Sequence, residues 1–107
     1  MSRQEWETAQ ANGIYEGSGA DRRDGFIHLS AAHQVRATAQ KHFSGKVDLL
    51  LVSVAEEALG HSLKWEVSRG GDLFPHIYSA LPLSVVSQVI PLPLVNGVHQ
   101  FPEGLPS

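Results

Sequence analysis

Residues 46–54 read KVDLLLVSV, and no other stretch constrains the fold as tightly. The run is branched and aliphatic on both of its alternating faces, so as a strand it needs cover on both sides. From Val47 to Ala55 it is far too short to span a bilayer, and Asp48 interrupts it. The sequence therefore predicts a central strand, the least exposed segment of the chain. With 107 residues, one domain with one modest core is the default.

Short-range signals place the neighbouring elements. Ser2 followed by Glu5 fits a capping box, so a helix starts almost at residue one, with Trp6 and Ala9 facing inward and Gly13 as its stop. GSGAD, residues 17–21, and the RRDG that follows are loop by composition. GFIHLS, residues 25–30, is a strand with Phe26, His28 and Ser30 on one face and Ile27 and Leu29 on the other. Ser30 is placed to cap a helix in which Ala32, Val35, Ala39 and Phe43 form one apolar stripe, ended by Ser44-Gly45.

Beyond the central run, LKWEV puts Leu63, Trp65 and Val67 on one side, expected to be buried, and Lys64 and Glu66 on the other. SRGGD turns the chain into FPHIY, where Ile77 opposes His76 and Tyr78 across the pleat, and SVVSQVI is a further strand. Prolines at 91, 93, 102 and 106 mark an extended tail. The expected architecture is a single α+β domain over residues 1–90, with a small mixed, curved or split sheet and two helices in the N-terminal half. A proline-rich extension covers 91–107.

Charge and composition narrow the function classes. A net charge of −3 supplies no basic field of the kind nucleic-acid binding requires, so nucleic acid is an unlikely partner. Without cysteine there are no disulfides, no thiolate ligands and no Cys nucleophile. MSRQEWETAQ lacks the apolar core of a secretory signal. A cytoplasmic location without membrane association is the expectation.

Three strand-borne polar pairs stand out: His28 with Ser30, Lys64 with Glu66, and His76 with Tyr78. If they converge, two imidazoles, a carboxylate, a phenol and a hydroxyl share one site, a set suited to acid–base chemistry or to a polyhydroxy ligand. The plain alternative for each is a solvated sheet face. His28 lies between large apolar residues, where a structural hydrogen bond and a functional role are both open. A zinc site from His28, His76 and Glu66 has no close ligand spacing behind it, and His33 and His42 fall on different helix faces; no metal is expected. SRGGD, with Arg69 and two glycines, matches no phosphate-loop pattern and reads as a turn. Ser30 has no nucleophile elbow around it.

The blocks DGFIHLSAAHQVRATAQKHF and LKWEVSRGGDLFPHIYSALPL resemble a bacterial family catalogued only as a domain of unknown function, number 952. The resemblance covers residues 5–90, and that family is in turn similar to the ADP-ribosyltransferase-like fold, a split and strongly curved sheet with a cleft for NAD. The RNA 2′-phosphotransferase there has a comparable His-Leu-Ser strand followed by a helix. The resemblance puts His28 and Ser30 on the strand lining the cleft, and Trp65, Glu66, His76 and Tyr78 in the second block. It implies NAD as cofactor and attack at the anomeric carbon of its nicotinamide riboside through an oxocarbenium-like state. In such a site Glu66 would hold a ribose hydroxyl, His28 or His76 would orient ribose or pyrophosphate, and Tyr78 would stack on nicotinamide. Glu66 and His28 are the implied catalytic residues; His28, Ser30, Trp65, His76 and Tyr78 are the implied cofactor-binding ones. Family members usually open with a strand carrying a Tyr-His-Ile-like motif, whereas this chain starts at the following helix. The corresponding expectation is either a start that lies upstream, or a catalytically compromised version whose free sheet edge is able to pair with a second copy, and a non-catalytic ligand-binding or protein-interaction module is the alternative function.

Overall fold

The computed structural model describes residues 1–105, and of Arg69 only the backbone. SRGGD is a turn, as its sequence reads: Gly70 stands at φ 64°, and Ser68 N donates to Asp72 O at 2.9 Å.

Helix α1 (Arg3–Asn12) begins where the sequence placed it. Glu5 N donates to Ser2 Oγ at 3.0 Å, Ser2 N donates to Glu5 Oε1 at 3.0 Å, and Gly13 ends the helix at φ 77°. Ala9 is buried and Trp6 half-buried. Strand β1 (Ile14–Tyr15) follows, and then the residues expected to be loop form a helix, α2 (Gly19–Asp24). The reason is a second capping box: Ser18 N donates to Asp21 Oδ2 at 2.8 Å and Asp21 N donates to Ser18 Oγ at 3.2 Å. Gly25, at φ 87°, closes α2 into β2 (Ile27–His28). Two reciprocal hydrogen bonds outweigh the loop-like composition of so short a segment.

Helix α3 (Val35–His42) starts later than expected. Gln34, not Ser30, stands at its N-cap and Gln34 Oε1 accepts from Ala31 N at 2.9 Å, while Ser30 Oγ bonds Thr38 Oγ1 at 2.8 Å. The apolar stripe buries only Ala39; Ala32 is exposed. The helices thus number three among the described residues, not two.

The remaining strands are β3 (Leu49–Val54), β4 (Leu63–Val67), β5 (Leu73–Ile77), β6 (Leu81–Pro82), β7 (Val86–Leu92), β8 (Leu94–Val95) and β9 (Val98–His99). They pair as β2-β5-β4, β3-β7, β1-β6 and β8-β9. The sheet is split, as expected, but every pairing is antiparallel, which corrects the mixed sheet. Strand β3 is not central. It pairs with β7 on one side, and on the other, among the described residues, only its start has a partner: Leu50 N donates to Met1 O at 2.8 Å and, just before the strand, Arg3 N donates to Asp48 O at 3.0 Å. Leu49 and Leu50 are accordingly buried, whereas Leu51–Val54 are half-buried.

Within the segment expected to be an extended tail, residues 91–100 are paired into strands and a hairpin. Strand β7 runs through Pro91, a hairpin turns at Asn96-Gly97 with φ 52° and 81°, and His99 Nε2 donates to Lys46 O at 2.8 Å. Two successive left-handed residues are the requirement of the tightest hairpin turn, which Asn-Gly meets.

The core sits on one face of β2-β5-β4. Ile27 lies opposite Ile77, Leu63 lies opposite Ile77 from the other side, and these meet Leu81 with Tyr15, Leu29, Val54, Leu59 and Val85 packed around. Strand alternation then turns the intervening residues onto the other face.

Candidate functional site

The face of β2-β5-β4 away from the core carries Phe26 and His28 from β2 and the residue before it, His76 and Phe74 from β5, Tyr78 just beyond it, and Lys64 and Glu66 from β4. Register brings them into rows: His28 opposite His76, His76 opposite Lys64, and Phe74 opposite Glu66. The convergence that alternation alone left open is therefore present.

Glu66 is the hub. Its Oε1 accepts from Tyr78 OH at 2.6 Å and bonds His76 Nδ1 at 2.8 Å. The Tyr78 hydrogen bond first and the His76 bond second hold the Glu66 carboxyl below its usual range, and the same Glu66 bond pushes the Tyr78 phenol up. Phe26 covers this pair. Its ring stacks on His76 at 4.2 Å between centroids and lies 5.1 Å from Tyr78 and 4.7 Å from His28. His76 is left only 5% exposed, while Tyr78 remains 45% exposed. Lys64 Nζ sits over the Tyr78 ring at 5.3 Å.

His28 is oriented from α2. Its Nδ1 lies 2.6 Å from Asp21 Oδ1 and its Nε2 3.0 Å from Asp24 Oδ2, and Asp21 Oδ1 also accepts from His28 N at 3.1 Å. With both ring nitrogens engaged, the imidazole is fixed in rotation and presents its exposed ring to solvent. The His28 and His76 rings meet edge to face at 5.5 Å. Asp21 and Asp24 were not among the residues picked out from sequence. Ser18-x-x-Asp21, the same signature as Ser2-x-x-Glu5, and the four-residue step from Asp24 to His28 were the signals for them.

Two of the singled-out residues stand apart. Ser30 is engaged by Thr38 of α3. Trp65 lies on the opposite face of β4 from Glu66, 41% exposed, beside a 530 Å³ depression lined by Glu56, Glu57, Gly60 and Leu63. A second concavity of 290 Å³ lies between α1 and the start of α2, lined by Glu5, Asn12, Tyr15, Glu16 and Arg22 among others. Burial there, with Glu5 and Asp21 nearby, pushes the Tyr15 phenol well up. The His–Glu–Tyr cluster is thus an open aromatic and acidic face, separate from both concavities. Among the described residues no three His, Asp or Glu side chains come together as a metal site, and no helix is long and apolar enough to cross a membrane.

Residues 1–89 match the model of a family described as "Protein of unknown function (DUF952)". The chain belongs to the DUF952 family. Its fold is similar to the crystal structure of protein CC0527 from Caulobacter crescentus, at 50% identity and TM-score 0.90, with 94% of this chain and 89% of that one covered. The solution structure of CC0527 matches at TM-score 0.83, with 94% and 87% covered. No curated protein matches. The β2-β5-β4 face of this DUF952 member is built almost wholly from the two sequence blocks DGFIHLS and LKWEVSRGGDLFPHIY.

Proposed function

We propose that the Phe26–His28–Glu66–His76–Tyr78 face binds the nicotinamide-riboside portion of NAD or a related nucleotide, in a cytoplasmic enzyme of ADP-ribosyltransferase-like type. The observation that carries the reading is the Glu66 carboxylate, held ionised by Tyr78 and His76 beside the rings of Phe26 and Tyr78. In oxidised NAD the nicotinamide ring is flat and cationic, and a cation over aromatic faces edged by carboxylates is favoured. The residues fit that half of the molecule better than the pyrophosphate, because the carboxylates Asp21, Asp24 and Glu66 outnumber Lys64 and Arg23, which is itself paired with Asp24 at 3.4 Å. The similarity of the His-Leu-Ser strand and its following helix to the RNA 2′-phosphotransferase supports the same direction.

Each residue then has a task. Glu66, with its second oxygen available beyond the Oε1 bonds, accepts from a ribose hydroxyl. Tyr78 and Phe26 supply stacking surface. His28, fixed by Asp21 and Asp24, forms the wall on the β2 side. NAD, when bound, supplies a ribosyl carbon from which nicotinamide departs. Ser30 and Trp65 remain outside this arrangement and have no role in it.

Amide NMR of the full chain, titrated to millimolar NAD, nicotinamide or ADP-ribose, tests the reading. Shifts at Phe26, His28, Glu66, His76 and Tyr78 are expected with NAD, and weaker ones with nicotinamide, whose free ring is uncharged, and with ADP-ribose, which lacks the ring. No shifts with any of the three would overturn it. Binding without nicotinamide release on long incubation selects the non-catalytic ligand-binding module.

A further inference from the structure

We propose that β4 is the seam of a two-fold symmetric dimer, pairing antiparallel with β4 of a second copy about Trp65. In the β2-β5-β4 sheet β4 is terminal, with β5 as its one strand neighbour. Its backbone phase is set by the bonds at its ends: Tyr78 N donates to Ser62 O and Ser68 N donates to Asp72 O. The even-numbered residues of β4 therefore direct their peptide groups toward β5. Trp65 and Val67 direct theirs to the open edge, as Leu63 does its carbonyl, because antiparallel strands alternate hydrogen-bonding sides; Leu63 N donates instead to Gly60 O.

The side chains at this edge are ones an unprotected edge avoids. Trp65 is 41% exposed, Val67 68% and Leu73, opposite Val67, 51%. Monomeric proteins blunt such edges with charge, proline or a covering element. Here the edge is apolar on one face and charged on the other, and its sequence decides the occupant. Leu-Lys-Trp-Glu-Val is self-complementary when reversed: apolar, basic, apolar, acidic, apolar.

Centred on Trp65, two copies would bring Trp65 against Trp65 as a full hydrogen-bonded pair and each Leu63 against a Val67 whose N–H the Leu63 carbonyl accepts, the Leu63 N–H staying on Gly60 O. Each Lys64 would stand against Glu66 of the partner subunit. The apolar triplets share the face away from the His–Glu–Tyr cluster, and both Lys–Glu pairs share the cluster's face. An isologous contact needs this kind of self-complementarity, and opposite charges directly across a ladder stabilise it while like charges oppose it. A foreign strand would need a matching pattern; a second copy has it. The result is one continuous six-stranded sheet in which Lys64 of the partner subunit borders the Glu66 site. The inference does not depend on what that site binds.

Sedimentation equilibrium of the full chain tests the association, and cysteine pairing tests its register. A concentration-dependent monomer–dimer equilibrium is expected. Lys64→Glu would set two acidic pairs face to face and weaken the dimer by about tenfold or more. The chain has no cysteine, so single substitutions report cleanly. In this register the two copies of position 65 lie about 5.5 Å apart between Cα atoms, within disulfide range. The two copies of position 67 lie roughly 14 Å apart along the strands. Under mild oxidation Trp65→Cys should form a disulfide dimer and Val67→Cys should not. A monomer at all attainable concentrations, or equal cross-linking of both variants, would overturn the proposal. A folded Lys64→Glu variant with unchanged association would overturn it as well, with circular dichroism confirming the fold.

Discussion

Asp21 does three things with one carboxylate, and removing it should show how the site depends on α2. Its Oδ2 accepts from Ser18 N and closes the capping box; its Oδ1 accepts from His28 N and bonds the His28 ring at 2.6 Å. The residue is buried, so the loss is not screened by water. Loss of the cap costs about 1 kcal/mol. Stranding the donors that faced a buried carboxylate adds about 2 kcal/mol. Asp21→Ala should therefore destabilise by about 3 kcal/mol, a fall in Tm of about 12 °C or more for a domain of this size. Asp21→Asn keeps one acceptor and turns its amide NH2 toward the other donors, so it should lose about half as much. The control is Asp24→Asn. It also bonds His28, at 3.0 Å, but with both side chains more than a third exposed, and such a pair is worth less than about 0.5 kcal/mol. Urea unfolding followed by circular dichroism gives all three values, and the His28 ring resonances report its release. Equal, small losses for the Asp21 and Asp24 variants would refute the reasoning.

Two further outcomes follow from the same sheet. Tyr78→Phe removes the largest cause of the lowered Glu66 carboxyl, so carbon-detected NMR titration should show that group moving up toward the ordinary carboxylate range, short of it by what the His76 bond still contributes; an unmoved titration would show that Tyr78 does not hold it. The sign is definite. Since Glu66 is lowered and Tyr78 raised, their contact stabilises fully between about pH 4.3 and pH 10. It fades in acid as pH falls through the folded Glu66 value, and in alkali as pH rises through the folded Tyr78 value. Ile77, 1% exposed at the centre of the core face, should cost about 2–5 kcal/mol on replacement by alanine, measured by urea midpoint. A loss below about 1 kcal/mol would contradict its central place.

How far the site was legible follows from the range of the interactions that build it. Alternation in GFIHLS and FPHIY put Phe26, His28, His76 and Tyr78 on matching phases, and a phase is a property of consecutive residues. Antiparallel pairing of β2 and β4 on either side of β5 then joined them, as hoped for from the pattern but not contained in it. Asp21 escaped notice because its glycine-rich, charged surroundings look like loop, although Ser18 three residues earlier carried the helix signal. Trp65 shows the opposite error: LKWEV has an apolar side, and nothing within five residues says whether anything covers it.

The amino-acid order alone determined the elements whose cause lies within a few residues: the capped start of α1 and its stop at Gly13, the phases of the strands, and the α+β class. Tertiary structure alone decided that the aliphatic run at 49–54 has one full strand neighbour, that the C-terminal segment folds back as a hairpin onto Lys46, and that α2 delivers two carboxylates to His28. The division is physical. Capping and alternation are hydrogen bonds and geometry between near neighbours, whereas burial and side-chain company depend on which distant strands dock, a choice made by the whole core at once.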